Sequence, residues 1–150
     1  MAETNNLYPV IDVPEFTEGI EEYDTEYKPS LSWDLEKGDF VRTPNKAVPR
    51  STGLDAYRIW CIKAVATERF SCEAYSEDIG SEMESLTGMD HNSVELALER
   101  TIEETLMVNP RTEAVKDFEF SWEPGAVRVK FTVVGIDEES FDIETSVEIE

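Results

Sequence analysis

The sequence predicts an α+β domain: a three-stranded antiparallel C-terminal sheet packed against about three helices, with an extended acidic arm at the N-terminus. Three observations predict it. Beyond residue 116, apolar residues alternate in three runs separated by turn signals. Between residues 54 and 106 the apolar period lengthens to that of helices. The first 36 residues are of another kind, rich in acids, aromatics and prolines, and divide the chain into an arm, 1–36, and a core domain, 37–150.

The arm carries Glu3, Asp12, Glu15, Glu18, Glu21, Glu22, Asp24, Glu26, Asp34 and Glu36 against the single base Lys28. Pro9, Pro14 and Pro29 deny it a long helix. Leu7, Tyr8, Val10, Ile11, Val13, Phe16, Ile20, Tyr23, Tyr27, Leu31 and Trp33 are more apolar groups than a solvated tail holds, so the arm is expected to dock, on its own domain or on a neighbour.

LSWDLEKGDFVR, residues 31–42, alternates in part around a Lys-Gly turn and predicts one or two short strands. After the proline-bounded loop PNKAVPR, Thr52 offers an N-cap and Asp55 closes a capping box. The helix that follows, 54–69, has Leu54, Tyr57, Ile59, Trp60, Cys61, Ile62 and Val65 around most of its circumference, the mark of a buried helix. Ile79, Met83 and Leu86 predict a short second helix that Gly88 stops. Asn92, with Glu95 three residues on, is expected to cap a third, whose Val94, Leu98, Ile102 and Leu106 face inward until Pro110 ends it.

In the sheet, Phe118, Phe120 and Trp122, then Val127, Val129, Phe131 and Val133, then Phe141, Ile143, Val147 and Ile149 each mark one buried face. The opposite faces set Arg128 and Lys130 of the middle strand between Asp117, Glu119, Asp142, Glu144 and Glu148, a meander of favourable cross-strand pairs.

Charge narrows the function. With 34 acidic and 13 basic residues the 150-residue chain has a formal net charge of −21. Such a surface repels phosphates, so neither nucleic acid nor an anionic membrane is an expected partner. No apolar run approaches the roughly 20 residues of a membrane helix, and MAETNNLYPVIDVPEF lacks the basic start and apolar stretch of a secretory signal. Cys61 and Cys72 stand outside any CxxC spacing and read as two reduced, partly buried thiols.

Catalytic chemistry finds little purchase. A glycosidase holds two carboxyl groups across a cleft. Glu68, Glu73, Glu77 and Asp78 are the candidates, but a pair drawn from 34 acids carries almost no information. The single histidine, His91, is expected in an exposed helix-entry turn, with no orienting carboxylate or oxyanion site implied for Ser93 or Cys72. One histidine and two separated cysteines do not make a zinc site, no DxDxDG loop is present for calcium, and neither GxGxxG nor GxxxxGK[ST] occurs. The expectation is no catalytic residue, no cofactor, no metal and no small-molecule substrate. What remains is recognition of protein.

Five pieces in order, YPVIDVPEF, the W-x-x-x-x-GDF of residues 33–40, GLDAYRIWCIKAVATERF, DIGSEMESLTG and NPRTEAVKDFEFSW, resemble the XkdS-like small baseplate wedge proteins of contractile-tailed phages, the sheath-initiating family called lysozyme-like and related to TssE of type VI secretion. The resemblance covers most of the chain. It implies a structural part of the inner baseplate, assembled in the host cytoplasm into the virion tail. Six copies would surround the central hub and tube, joining other wedge proteins to the first ring of tail sheath. It implies a partner interface at Asn109, Pro110 and Arg111, where the family usually has Glu-Pro-Arg, so the carboxylate is missing here. Arg111 on a stiff corner is a planar donor suited to carboxylates or carbonyls.

The final strand, with Phe141, Ile143, Thr145, Ser146, Val147 and Ile149, is the candidate edge for pairing with sheath, its outward acids guarding against unwanted strands. The alternatives are a tail-associated peptidoglycan hydrolase of the muramidase kind and a free adaptor or regulator of related fold.

Overall fold

The computed structural model describes residues 26–34 and 37–149, and the arm's first 25 residues lie outside them. Among the described residues, seven strands, two α-helices and one 3₁₀ turn form the α+β domain. Two short antiparallel pairs come first: β1 (Ser30–Leu31) with β4 (Arg50–Ser51), and β2 (Trp33–Asp34) with β3 (Asp39–Phe40). The Lys-Gly turn thus closes a hairpin as expected. Its Trp33 and Phe40 meet edge to face at 4.9 Å, and the Lys63 ammonium sits 4.3 Å over the first ring and 5.2 Å over the second.

Helix α1 (Gly53–Ala66) buries Ala56, Tyr57, Ile59, Cys61, Ala64 and Val65. The expected capping box is not formed: Thr52 makes no side-chain cap bond. Gly53 enters the helix at φ +61°, a left-handed reversal that lacks the geometry a capping box needs. The helix stops at Ala66 rather than Arg69, because Thr67 is extended and its hydroxyl donates back to the Lys63 carbonyl.

The predicted second helix is a single 3₁₀ turn, Met83–Leu86, and Ile79 lies outside it in the preceding link. Among the described residues there are therefore two α-helices where about three were expected. The link is shaped by backbone closure instead. Ser81 N–H donates to the Thr67 carbonyl, Arg69 N–H donates to the Ser81 carbonyl, and the Ser81 hydroxyl donates to Val65. Gly80, at φ +106°, packs so tightly here that a Cβ would lie 2.8 Å from both the Arg69 nitrogen and the Thr67 oxygen. Only glycine closes this clasp, and a helix through residue 80 is excluded by it.

Helix α2 (His91–Met107) is capped by Asp90 rather than Asn92: its carboxylate accepts the Ser93 N–H at 3.3 Å and the Ser93 hydroxyl at 2.6 Å. Asp90 has Ser93 three residues on to donate to it, whereas the Glu95 expected to support Asn92 is taken by the Trp122 indole. Val94, Leu98, Ile102 and Leu106 are completely buried, each contributing about 1.5–3 kcal/mol of apolar burial.

The sheet runs β5 (Thr112–Glu123), β6 (Ala126–Gly135), β7 (Ser140–Glu148), all antiparallel. Val127, Val129, Phe131 and Val133 of the central strand are fully buried under the helices. Phe118, Phe120 and Trp122 are half-buried rather than buried, since β5 slips register twice, once around Asp117 at φ +56°. On the outer face the basic middle strand is realised: Arg128 bridges Glu123 at 2.9 Å and Glu144 at 3.3 Å, and Lys130 bridges Asp142 at 3.2 Å.

Candidate functional site

The corner after α2 is built into the core rather than projecting from it. The Asn109 carboxamide oxygen accepts the Arg111 N–H at 3.0 Å, an Asx turn around Pro110 that a glutamate, one methylene longer, does not reproduce in the same form. Thr112 N–H donates to the Asn109 carbonyl, and the Thr112 hydroxyl donates to Leu106 and lies 2.5 Å from the Tyr57 hydroxyl. Burial, then the neighbouring Cys61 thiol, push the Tyr57 phenol above its ordinary range. Arg111 is half-buried; its Nε donates to the Glu26 carbonyl at 2.6 Å while its own carbonyl accepts the Ile136 N–H. Pro110 is exposed. Of the tripeptide, Pro110 is thus presented outward, and Arg111 ties the start of the described chain to the corner.

That tie closes one wall of a cleft of about 380 Å³. Tyr27 stacks on Tyr57 at 4.9 Å, and Tyr57 on Trp60 at 6.4 Å, giving the cleft an aromatic floor. Exposed Tyr75 lines it from the link, and its charged lining residues are Lys28, Lys63 and Arg111, with no acid among the described ones. Sequence reasoning did not find this cleft, whose parts come from four separated segments.

At the other candidate, β7, Ile143 and Val147 are buried, Phe141, Thr145 and Ile149 half-buried, and Ser146 exposed. Among the described residues β7 pairs on one side only, with β6, in unbroken register from Ala126↔Glu148 to Val134↔Ser140. Its backbone orientation follows. Ile149 N–H donates to the Gly125 carbonyl, and the Glu139 carbonyl accepts from Gly135. Both are odd-numbered, and antiparallel strands alternate the direction of their polar groups. The N–H and C=O of Asp142, Glu144, Ser146 and Glu148 therefore face the open edge. The same residues carry the outer acids, of which Asp142 and Glu144 are drawn back onto Lys130 and Arg128. Bonds from Thr132 and Lys130 hold the Asp142 carboxyl below the usual range.

The remaining candidates are dispersed. Glu68, Glu73, Glu77 and Asp78 are exposed along the link. Ser93 is engaged in the cap. His91 is exposed as expected, but it also stacks on Trp122 at 3.7 Å, while the Trp122 indole donates to Glu95. Cys61 is a buried free thiol whose pKa burial pushes up to about 12; Cys72 is free and exposed. No described helix is long and apolar enough to cross a membrane, and no cluster of three or more metal-ligating side chains occurs among the described residues.

The family model of the contractile injection system sheath initiator matches residues 29–138. The chain is also similar to the phage-like element PBSX protein XkdS of Bacillus subtilis (strain 168), with 35% identity over 115 residues, 74% of this chain and 76% of the other. The match spans the β1–β4 and β2–β3 pairs, both helices, the corner and the first two strands of the sheet. On this footing the chain belongs to the sheath-initiator family of contractile injection systems, a family of structural phage-tail proteins.

Proposed function

We propose that this protein starts sheath polymerisation on a contractile-tail baseplate, with β7 accepting a strand from the first ring of sheath and the Asn109–Pro110–Arg111 corner meeting the inner wedge proteins beside the hub and tube. The observation that carries the reading is the regular open edge of β7. The sheet has two edges, and they are unequal. β5 is interrupted by two register shifts, and bulges of this kind discourage strand addition. β7 is unbroken, and its outward backbone groups recur at every second residue, the spacing an added strand needs.

Its acids are no obstacle to a chosen strand. Asp142 and Glu144 are paired laterally with β6, which lowers the charge an incoming strand meets, and the residual negative field favours a basic one. At the corner, the Asx turn and the buried Thr112 make a rigid platform for Pro110, in keeping with a fixed protein contact.

The reading is assembly rather than hydrolysis, supported by acidic candidates that are all exposed along the link. On this reading it acts in the virion tail, assembled in the host cytoplasm, in six copies per baseplate as the family resemblance implies. Quantitative mass spectrometry of purified tails tests it. Stoichiometric recovery with the other baseplate proteins is expected, together with a blank cell-wall zymogram. A protein absent from tails, or lysis abolished by Glu73→Gln or Asp78→Asn, would refute the reading.

A further inference from the structure

The cleft between residues 27–30, α1 and the link is out of keeping with the rest of the molecule. In a chain of net charge −21 its charged lining residues are three bases, Lys28, Lys63 and Arg111. Its floor is the Tyr27, Tyr57 and Trp60 rings. A groove with an aromatic floor and a basic rim fits an acidic peptide with apolar anchors.

We propose that its occupant is the chain's own N-terminal segment, residues 7–25. The chemistry matches: between Leu7 and Thr25 the sequence has Asp12, Glu15, Glu18, Glu21, Glu22 and Asp24, no base, and the anchors Phe16, Ile20 and Tyr23. The attachment point matches too. Glu26, the first described residue, is held by its carbonyl on Arg111, and Tyr27 is itself part of the cleft wall. The segment therefore begins at the rim. An extended chain covers at most about 3.3–3.6 Å per residue, so Tyr23, Ile20 and Phe16 all lie within reach.

Tethering also decides between this segment and a second copy's. A short flexible link gives an effective concentration in the millimolar range. At micromolar protein the attached segment therefore outcompetes the same segment of another molecule by about a thousandfold. The cleft shares Asn109 and Arg111 with the proposed wedge corner and leaves only exposed Pro110 outside it, but the occupant is read from a crosslink within one chain, which does not depend on any wedge partner.

The test uses the full-length protein with the photo-crosslinker p-benzoylphenylalanine in place of Tyr75, and separately in place of Leu96, an exposed α2 residue outside the cleft. Irradiation of the Tyr75 protein is expected to give products of monomer mass whose crosslinked peptides fall within residues 7–25, at least five times more than from the Leu96 protein. Glu21→Lys with Glu22→Lys, or 1 M salt, which shortens the Debye length to about 3 Å, should cut that yield severalfold without changing the melting temperature. Equal yields from the two positions, or no peptide from residues 7–25, would overturn the proposal. Products of dimer mass that rise with concentration would overturn it in favour of a second copy.

Discussion

Proline at residue 146 separates an open strand edge from an internal one. In β7 the Ser146 N–H faces away from β6, so Ser146→Pro removes no ladder bond and sets its ring on the solvent side, a position sheets tolerate. Its exposed side chain leaves no cavity. The expected cost is within about 1 kcal/mol, which for a chain of this size is roughly 2–4 °C in melting temperature.

Thr145 supplies the control one residue away. It pairs with Val129, and the alternation directs its N–H into the ladder. Thr145→Pro deletes that donor and leaves a buried carbonyl unpaired, at a cost of about 1–3 kcal/mol before any ring clash. Thermal melts of the two variants should therefore differ in that order. Electron microscopy of tails carrying Ser146→Pro should show baseplates and tubes without sheath, because an added strand loses one donor and meets the ring. Normal sheath on the folded Ser146→Pro protein would refute strand addition at β7. Equal destabilisation by the two prolines would refute the assignment of open and paired sides.

Two further outcomes follow from local packing. A Cβ on Gly135 would overlap the Tyr27 hydroxyl, so Gly135→Ala should destabilise by about 1–3 kcal/mol, and most of that loss should vanish in the Tyr27→Phe background; additivity in the double-mutant cycle would show that the two do not meet. Asp90 has its folded-state pKa lowered by bonds from Ser93, so its contribution is present above the ordinary carboxylate value and lost as pH falls through the depressed one; Asp90→Ala should lower the melting temperature at neutral pH and converge with the original protein in acid, and an unchanged gap at low pH would exclude the cap.

The sheet, α2 and the 33–40 hairpin were readable because each rests on local signals: alternation, helical periodicity, and the turns at Lys37–Gly38 and Glu123–Gly125. What was misread had two local solutions. Asn92 with Glu95 looked like a cap, yet Glu95 accepts from the Trp122 indole, a long-range contact that frees Asp90 and Ser93 to cap instead. Ile79, Met83 and Leu86 have helical spacing, but Gly80 is committed to the backbone of Thr67 and Arg69. The candidate corner was legible as a place and not as a contact. Nothing in Asn-Pro-Arg announces that Arg111 reaches back to Glu26, 85 residues away. The cleft was invisible for the same reason.

The charge pattern of β7 ties these pieces to the proposed assembly. On the proposed reading the starter stands in several copies at one ring, and it then has to refuse its own kind while accepting sheath. Two β7 edges laid against each other would oppose Asp142, Glu144 and Glu148 to another such set, with two of the three already sharing their cations with β6. Like charges directly across a strand pair are destabilising, by up to about 1 kcal/mol each. That cost applies to self-pairing and not to a basic or neutral sheath strand. On the proposed mechanism the acids of β7 thus act as discrimination at this edge, as Asp90 acts as a cap on α2 and Glu95 as the partner of the Trp122 indole. Arg128→Glu with Lys130→Glu would remove the lateral tethers and deepen the repulsion between two β7 edges; on the strand-addition mechanism the folded variant still initiates sheath, and loss of initiation without loss of fold would refute the charge argument.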